Sequence, residues 1–248
     1  MNLKKTIKHF YLHIGKYLYG NNFSKVVYYH DLHSTRQYTP MSTSAEMFKT
    51  HLDIVAKKGY APVSEIDSTE KQIEITFDDG FRGLYENFSL IMEKDIPVRL
   101  FLITERLGDK GYLAKDEIKE MLATGLLSIG SHTHTHSDLE KLAEKEIFDE
   151  LERSKKILED TFSVSIQTLC YPRGRFNDTV IETANNLGYT KQYTCLPGPY
   201  GEPFRNGLVN RSLVQDASPA DFRLILDGGD RIFFARYLQQ HYHPEHST

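Results

Sequence analysis

Short apolar strands alternating with amphipathic helices predict an α/β fold built on a parallel sheet, either open or closed into a barrel. Two observations carry that prediction. Six runs of five or six residues are rich in β-branched and aromatic side chains, and the stretches between them place apolar residues at helical spacing. Two of those runs lead directly into carboxylates or imidazoles, and the carboxyl ends of strands are where parallel α/β folds put their chemistry.

The elements follow in chain order. Residues 1–20 carry Lys4, Lys5, Lys8 and Lys16, with Leu3, Ile7, Phe10, Ile14 and Leu18 at near-helical spacing. This is a basic helix that either packs on the body or lies on a membrane surface. Strands are expected at 26–30 (VVYYH), 72–77 (QIEITF), 98–103 (VRLFLI), 126–130 (LLSIG), 167–171 (QTLCY) and 191–195 (KQYTC). Between them, 44–58 gathers Met47, Phe48, Leu52 and Val55 on one helical face, and about 140–160 gathers Ile147, Leu151, Ile157 and Leu158. Pro197, Gly198, Pro199, Gly201 and Pro203 read as one irregular loop. VNRSL, within 208–214, reads as a last strand-like segment, and 242–248 as a polar tail.

No linker, repeat or low-complexity tract divides the 248 residues, so the chain reads as one domain spanning 1–248. A formal charge of -4 supplies no basic field, which argues against a nucleic-acid partner. Cys170 and Cys195 form no CxxC pair, so neither a disulfide framework nor a thiolate zinc site is expected. No apolar run is long enough for a secretory signal or a membrane span, and a cytoplasmic location, with membrane-peripheral contact through residues 1–20 as the alternative, is the expectation.

Two stretches carry candidate chemistry. ITFDDGF (75–81) runs an apolar strand into adjacent carboxylates, which can diverge, one to a metal and one to a water; the plainer alternative is a turn that caps the next helix. IGSHTHTHSDL (129–139) holds three histidines in five positions, and neutral imidazoles suit zinc and its neighbours. On a helical turn His132 and His136 share a face while His134 points away. Two His and one Asp leave coordination positions open for water and substrate, as a catalytic ion needs. Solvated loop histidines are the plainer alternative.

Together these stretches resemble the polysaccharide deacetylase family, the NodB-like proteins of carbohydrate esterase family 4. ITFDDG resembles its TFDDG motif, and SHTHTHSDL its HTxxH motif followed by Leu. The resemblance implies a distorted, partly open (β/α) barrel and a metal-dependent hydrolase that removes acetyl groups, chiefly N-acetyl, from a sugar or oligosaccharide. It implies Asp78 as base and Asp79, His132 and His136 as ligands of one divalent ion, zinc foremost, with cobalt or nickel as alternatives. LCYPRGRFND (169–178) is similar to the family's groove motif in its YPxGxFN form. The backbone N-H of Arg173 would then help hold the oxyanion, with Tyr171 and Pro172 lining the groove. Cys170 stands where some members carry the arginine that orients the base, so Arg211 or Arg173 is expected to take that role.

Many members take the acid that protonates the leaving amine from a Leu-x-His motif near the C-terminus, which has no counterpart here. His241, His243 and His246 read as solvated residues of a polar tail. VVYYHDL (26–32) resembles the YH segment of poly-N-acetylglucosamine deacetylase-like members, which makes His30 the candidate acid. Two alternatives stand beside this reading. One is a metallo-β-lactamase-like hydrolase, because HTHSD (134–138) reproduces most of an HxHxDH motif; the other is a carbohydrate-binding protein without turnover. The expected substrate is an acetylated sugar, oligosaccharide, or nucleotide- or lipid-linked sugar.

Overall fold

The computed structural model describes residues 3–244. In chain order its strands are β1 (Lys25–Tyr29), β2 (Asp31–His33), β3 (Ser42–Ser44), β4 (Ala61–Pro62), β5 (Gln72–Phe77), β6 (Val98–Leu102), β7 (Leu127–Ser131), β8 (Thr168–Cys170), β9 (Lys191–Tyr193), β10 (Leu208–Val209) and β11 (Ser212–Leu213). The helices are α1 (Leu3–Tyr19), α2 (Ala45–Lys57), α3 (Gly83–Glu86), α4 (Ser89–Lys94), α5 (Lys115–Ala123), α6 (Glu144–Phe162), α7 (Asp178–Asn186), α8 (Pro219–Leu226) and α9 (Phe234–His241). All six expected strands form, within a residue or two of their expected ends.

The main sheet runs β10-β9-β8-β7-β6-β5-β1-β11, with β4 added to β5, and every pairing in it is parallel. β10 and β11 lie at opposite ends of this path, yet only Asn210 and Arg211 separate them in the chain. The sheet must therefore curl until its two edges nearly meet, which makes a partly open barrel. A strand presents alternate residues to opposite faces. Val27 and Tyr29 of β1, Ile73, Ile75 and Phe77 of β5, and Val98, Leu100 and Leu102 of β6 join the large core under the helices. Val26, Phe101, Cys170, Tyr193 and Val209 form a separate small cluster on the inner side.

The inner face is also polar. Arg99 donates to Glu74 at 2.6 Å, and the Tyr193 hydroxyl reaches both Glu74 oxygens at 3.0 Å. A buried charge needs a partner, and here each has one. Glu74, Thr76 and Asp78 alternate along β5 toward its carboxyl end, so this inward row leads to the mouth of the barrel.

Local signals set the helix ends. Ser44 caps α2 by accepting from the Met47 N-H, and Asn177 caps α7 by accepting from Val180. The long helix expected from about 140 begins at Glu144, because Leu139–Lys141 form a separate 3-10 turn and Glu146 reaches back to accept from the Ala143 N-H at 2.9 Å. Its buried face is Ile147, Leu151, Ser154, Leu158 and Phe162; Ile157, expected there, is half-buried, and Ser154 bonds Ser131 of β7 instead.

α1 packs on the body, but not by the stripe its sequence suggests. Leu12 is fully buried, Lys16 pairs with Asp227 at 2.8 Å, and His9 pairs with Asp221. Gly15 lies so near Gly229 that a Cβ would stand 1.9 Å from the Gly229 carbonyl oxygen. Leu3, Ile7, Phe10 and Leu18 are exposed. No helix among the described residues is long and apolar enough to cross a membrane. Of the polar tail expected over 242–248, residues 245–248, with His246, lie outside the described residues.

Because backbone blocks any side chain at Gly15, Gly15→Val should undock α1. Hydrogen exchange should then show lost protection over residues 3–19, with β5, β6 and β7 protected as before.

Candidate active site

The two aspartates leave β5 in different directions. The Asp78 N-H donates to Tyr29 O at 3.0 Å, so Asp78 continues the parallel ladder and its inward alternation. Asp79 then takes a left-handed backbone, φ 74°, followed by Gly80 at φ 86°. That conformation is unfavourable for a side chain and recurs at sites where geometry matters more than local stability. It turns the second carboxylate away from the first. Asp79 Oδ1 is buried and has no hydrogen-bond partner.

His132 follows β7, where its N-H donates to Leu102 O at 2.9 Å. Residues 132–136 do not form the helical turn expected of them. Thr133 (φ 66°) and His136 (φ 64°) are left-handed, and side chains hold the loop in that shape. Ser131 Oγ accepts from the Thr133 N-H, Thr133 Oγ1 accepts from the His136 N-H, and Glu150 of α6 accepts from the N-H groups of His134 and Thr135. The outcome for the side chains still matches expectation. The His132 and His136 rings lie 4.8 Å apart, while His134 turns to Thr104, its Nδ1 2.8 Å from Thr104 Oγ1. With His134 so placed, and Asp138 bound to Arg173 and Arg175, the lactamase-like motif is not assembled.

Asp79 Oδ1 stands 3.3 Å from His132 Nε2 and 3.6 Å from His136 Nε2. Ligand bonds near 2.1 Å in a tetrahedron put neighbouring donor atoms about 3.4 Å apart, so the orphaned oxygen and the two nitrogens fit one small divalent ion. His132 Nδ1 lies 2.8 Å from Cys170 O and can only donate there, which leaves Nε2 as the free lone pair. Burial, then the neighbouring His132, push the pKa of His136 down to about 4, so this imidazole is neutral.

Asp78 has a different environment. Arg211 is wholly buried and clamps it with two bonds, Nη1 to Oδ1 at 2.7 Å and Nη2 to Oδ2 at 2.8 Å. Burial alone would raise the Asp78 pKa, but the Arg211 charge and hydrogen bonds outweigh it and hold the carboxyl at about 2. Asp78, His132 and Cys170 are also close enough to be considered as a ligand set. Burial pushes the Cys170 thiol well above its usual range, and Asp78 is already bound twice by Arg211, so this second set does not suit a cation.

A pocket of about 460 Å³ opens above these groups, lined among others by Tyr28, His30, Tyr171, Arg173, Tyr237 and His241. His30 follows β1, beside Asp78 as the pairing of Tyr29 with Phe77 requires, and its Nδ1 contacts Gln215 Oε1. Tyr171 and Arg173 line the pocket; Pro172 is buried in the turn between them. Of the two arginines expected to orient the base, Arg211 is the one against Asp78; it sits beneath the pocket and does not line it, so it is not a substrate-groove residue. The Arg173 side chain reaches out to Asp138 at 2.7 Å, so it does not orient Asp78. Its backbone is left-handed, φ 56°, and Gly174 and Arg175 donate the turn's hydrogen bonds, leaving the Arg173 N-H outside that pair.

His241 requires a correction. It is not a solvated tail residue: it ends α9, is half-buried, and its buried Nδ1 has no hydrogen-bond partner. The chain returns to the body here, Phe176 N-H donating to His241 O at 2.9 Å and His243 N-H to Phe176 O at 3.0 Å. The signal was present in Phe234, Tyr237, Leu238 and His241, spaced i, i+3, i+4, i+7.

A curled parallel sheet with an Asp-His-His cluster and an arginine-bound carboxylate at its carboxyl ends defines the class: an α/β barrel with an open site suited to a divalent ion. The family model described as polysaccharide deacetylase matches residues 65–192, more than half of the chain, and the chain belongs to that family. It is 28 % identical over 177 residues to the Bacillus subtilis protein YxkH, covering 67 % of this chain and 63 % of that one. It is 33 % identical over 146 residues to the poly-beta-1,6-N-acetyl-D-glucosamine N-deacetylase of Staphylococcus aureus, covering 53 % of this chain and 48 % of that one. The chain thus spans less than two thirds of either relative. The fold is shared with a Bacillus cereus polysaccharide deacetylase, BC0361 (TM-score 0.72, 24 % identity, 82 % of this chain and 69 % of that one). It is shared equally with IcaB of Ammonifex degensii (TM-score 0.73, 22 % identity, 84 % and 98 %).

Two outcomes are expected. Elemental analysis of the purified chain should find about one divalent ion, lost in Asp79→Ala, His132→Ala and His136→Ala and kept in His134→Ala. The second concerns the Arg211 pair. Asp78 has a folded pKa below its unfolded value, so the stability it contributes is complete above about pH 4 and is lost as pH falls toward 2. Asp78→Asn leaves a buried guanidinium without its anion and should cost about 3–5 kcal/mol at neutral pH. Urea unfolding should show that difference shrinking as the pH is lowered through this window.

Proposed function

We propose that this chain is a metal-dependent hydrolase that removes N-acetyl groups from an amino sugar, with zinc as the foremost ion. The observation that supports this best is the division between the adjacent aspartates: Asp79 Oδ1 is orphaned toward two imidazole nitrogens, while Asp78 is bound by Arg211 beside them. A site kept only to hold an ion or a sugar has no need of the second carboxylate. The S. aureus relative is named for N-deacetylation of poly-beta-1,6-N-acetyl-D-glucosamine, which favours an acetamido sugar over an ester. The substrate class is an N-acetylated sugar or oligosaccharide, free or linked to a nucleotide or lipid, and the expected location remains cytoplasmic.

Asp79, His132 and His136 would hold a divalent ion, which when bound would supply a water of lowered pKa and polarise the amide carbonyl. The chain's own groups do the rest. Asp78 is ionised at neutral pH and accepts the proton of the attacking water; held so low, it is a weak base that serves only for an acidified water. Arg211 keeps that carboxylate in one orientation. The Arg173 N-H donates to the developing oxyanion, a contribution of roughly 3–4 kcal/mol for such a donor. The amine cannot leave as an anion and needs a proton. His30, held by Gln215, is the proposed donor, and His241, whose Nδ1 lacks a partner in the same pocket, is the second candidate.

Acetate release from a panel of acetamido sugars, with and without a chelator, tests the activity. Asp78→Asn should retain the ion and lose turnover on amides and aryl acetates alike. An aryl acetate leaves as a stable anion, so the variant lacking the true acid should lose amide turnover by roughly 10²-fold or more and keep most ester turnover. His30→Ala is expected to show this pattern. The same pattern in His241→Ala, with His30→Ala near wild type, would transfer the role.

A further inference from the structure

The apolar surface of this protein is concentrated on one helix. Among the described residues, seven of the nine exposed large hydrophobic side chains belong to α1: Leu3, Ile7, Phe10, Tyr11, Tyr17, Leu18 and Tyr19. At 3.6 residues per turn, Tyr17, Phe10, Leu3, Ile14, Ile7, Leu18 and Tyr11 succeed one another around the axis without a polar residue between them, an arc of roughly 120°. A stripe of that width ordinarily faces a core. Here the helix docks through the opposite side, by Leu12, Gly15 and the pairs Lys16–Asp227 and His9–Asp221, and turns the stripe outward, with Phe10 62 % and Tyr17 90 % exposed.

The charges on α1 run against those of the whole chain. Its sequence holds four lysines and no carboxylate, while the chain carries a net -4. Beside the stripe, Ile7 and Tyr11 with Ile232 and Phe233 line a groove of about 680 Å³ that also includes Lys8 and Arg236. Apolar and aromatic side chains bordered by cations complement the boundary between acyl chains and anionic headgroups. A second copy fits poorly. Two-fold pairing through the stripe would bring the flanking cations Lys8 and Arg236 of both copies together, with no carboxylate on either α1 to offset them.

We propose that α1 docks the protein on an anionic lipid bilayer, its Leu3–Ile7–Phe10–Ile14–Tyr17–Leu18 stripe immersed at the interface and Lys8 and Arg236, at the edge of that stripe, on the headgroups. The inference stands independently of the deacetylase reading. Tyr237 and Gln240 line both the groove beside α1 and the pocket above Asp78, so docking would bring that pocket close to the bilayer.

The test uses the full chain with sedimentable vesicles of phosphatidylcholine, with or without 30 mol % phosphatidylglycerol. Binding is expected to the anionic vesicles, weakening as salt is raised, and falling tenfold or more in Phe10→Ser/Ile14→Ser and in Lys8→Glu/Arg236→Glu. The chain has no tryptophan, so Tyr17→Trp supplies a single reporter whose emission should shift to the blue and be quenched by brominated lipid. Unchanged thermal melting of each variant separates lost binding from lost fold. Absence of vesicle binding by the wild-type chain, or equal binding by Phe10→Ser/Ile14→Ser, overturns the proposal. A dimer in sedimentation equilibrium that this double variant abolishes, without vesicle binding, assigns the stripe to a second copy instead.

Discussion

The buried pair between Arg211 and Asp78 joins the last strand of the barrel to its chemistry. A guanidinium without access to water is tolerable only beside a fixed anion, and a carboxylate in the same place needs the same return. Each therefore holds the other inside the barrel. Arg211 is surrounded by the rest of the inner layer: Thr76 Oγ1 at 3.2 Å, Thr194 O at 2.9 Å, the Tyr28 ring at 4.3 Å and Cys170 Sγ at 2.9 Å. Its place in the two-residue link between β10 and β11 explains why the sheet curls as it does. The side chain that stabilises Asp78 comes from the point where the two edges approach each other.

Two kinds of interior follow from strand alternation. The outward residues of β1, β5 and β6 are apolar, pack under α2 and its neighbours, and supply the hydrophobic stabilisation. The inward residues form a column of paired charges and aromatic rings, from Glu74, Arg99 and Tyr193 to Asp78 and Arg211. Such a column adds little net stability, since desolvation offsets most of the attraction. What it supplies is orientation, and orientation is what a base beside a metal cluster requires.

The metal candidate is assembled by strained backbone instead of by regular structure. Asp79, Thr133, His136 and Arg173 are four of the seven described non-glycine residues with positive φ, and all four belong to the site or its rim. Each conformation costs of order 1–3 kcal/mol. Side-chain hydrogen bonds from Ser131, Thr133 and Glu150 hold the histidine loop in place, which is why a segment with no helical hydrogen bonds still brings His132 and His136 together.

Much of this was legible in the residues alone. Short runs rich in β-branched and aromatic residues marked the strands, because strands of a parallel sheet are buried on both faces and need no polar alternation, and DDG and HTHTH at strand ends marked the cluster. His132 and His136 converge on Asp79 while His134 turns away, although a left-handed loop, not a helical turn, places them; side-chain capping of irregular backbone has no simple sequence period. Long-range contacts were beyond reach for the same reason. The family resemblance offered Arg211 or Arg173 for orienting the base, nothing local to VNRSL decides between them, and only the curl of the sheet brings Arg211 to Asp78. Likewise the helical spacing that ends at His241 was visible in the sequence, but its return to the pocket depends on backbone bonds to Phe176. The outward stripe of α1 is the converse case. Its amphipathic pattern was plain, yet which face meets the body was decided by Gly15, whose lack of a side chain lets that face lie directly against the Gly229 backbone.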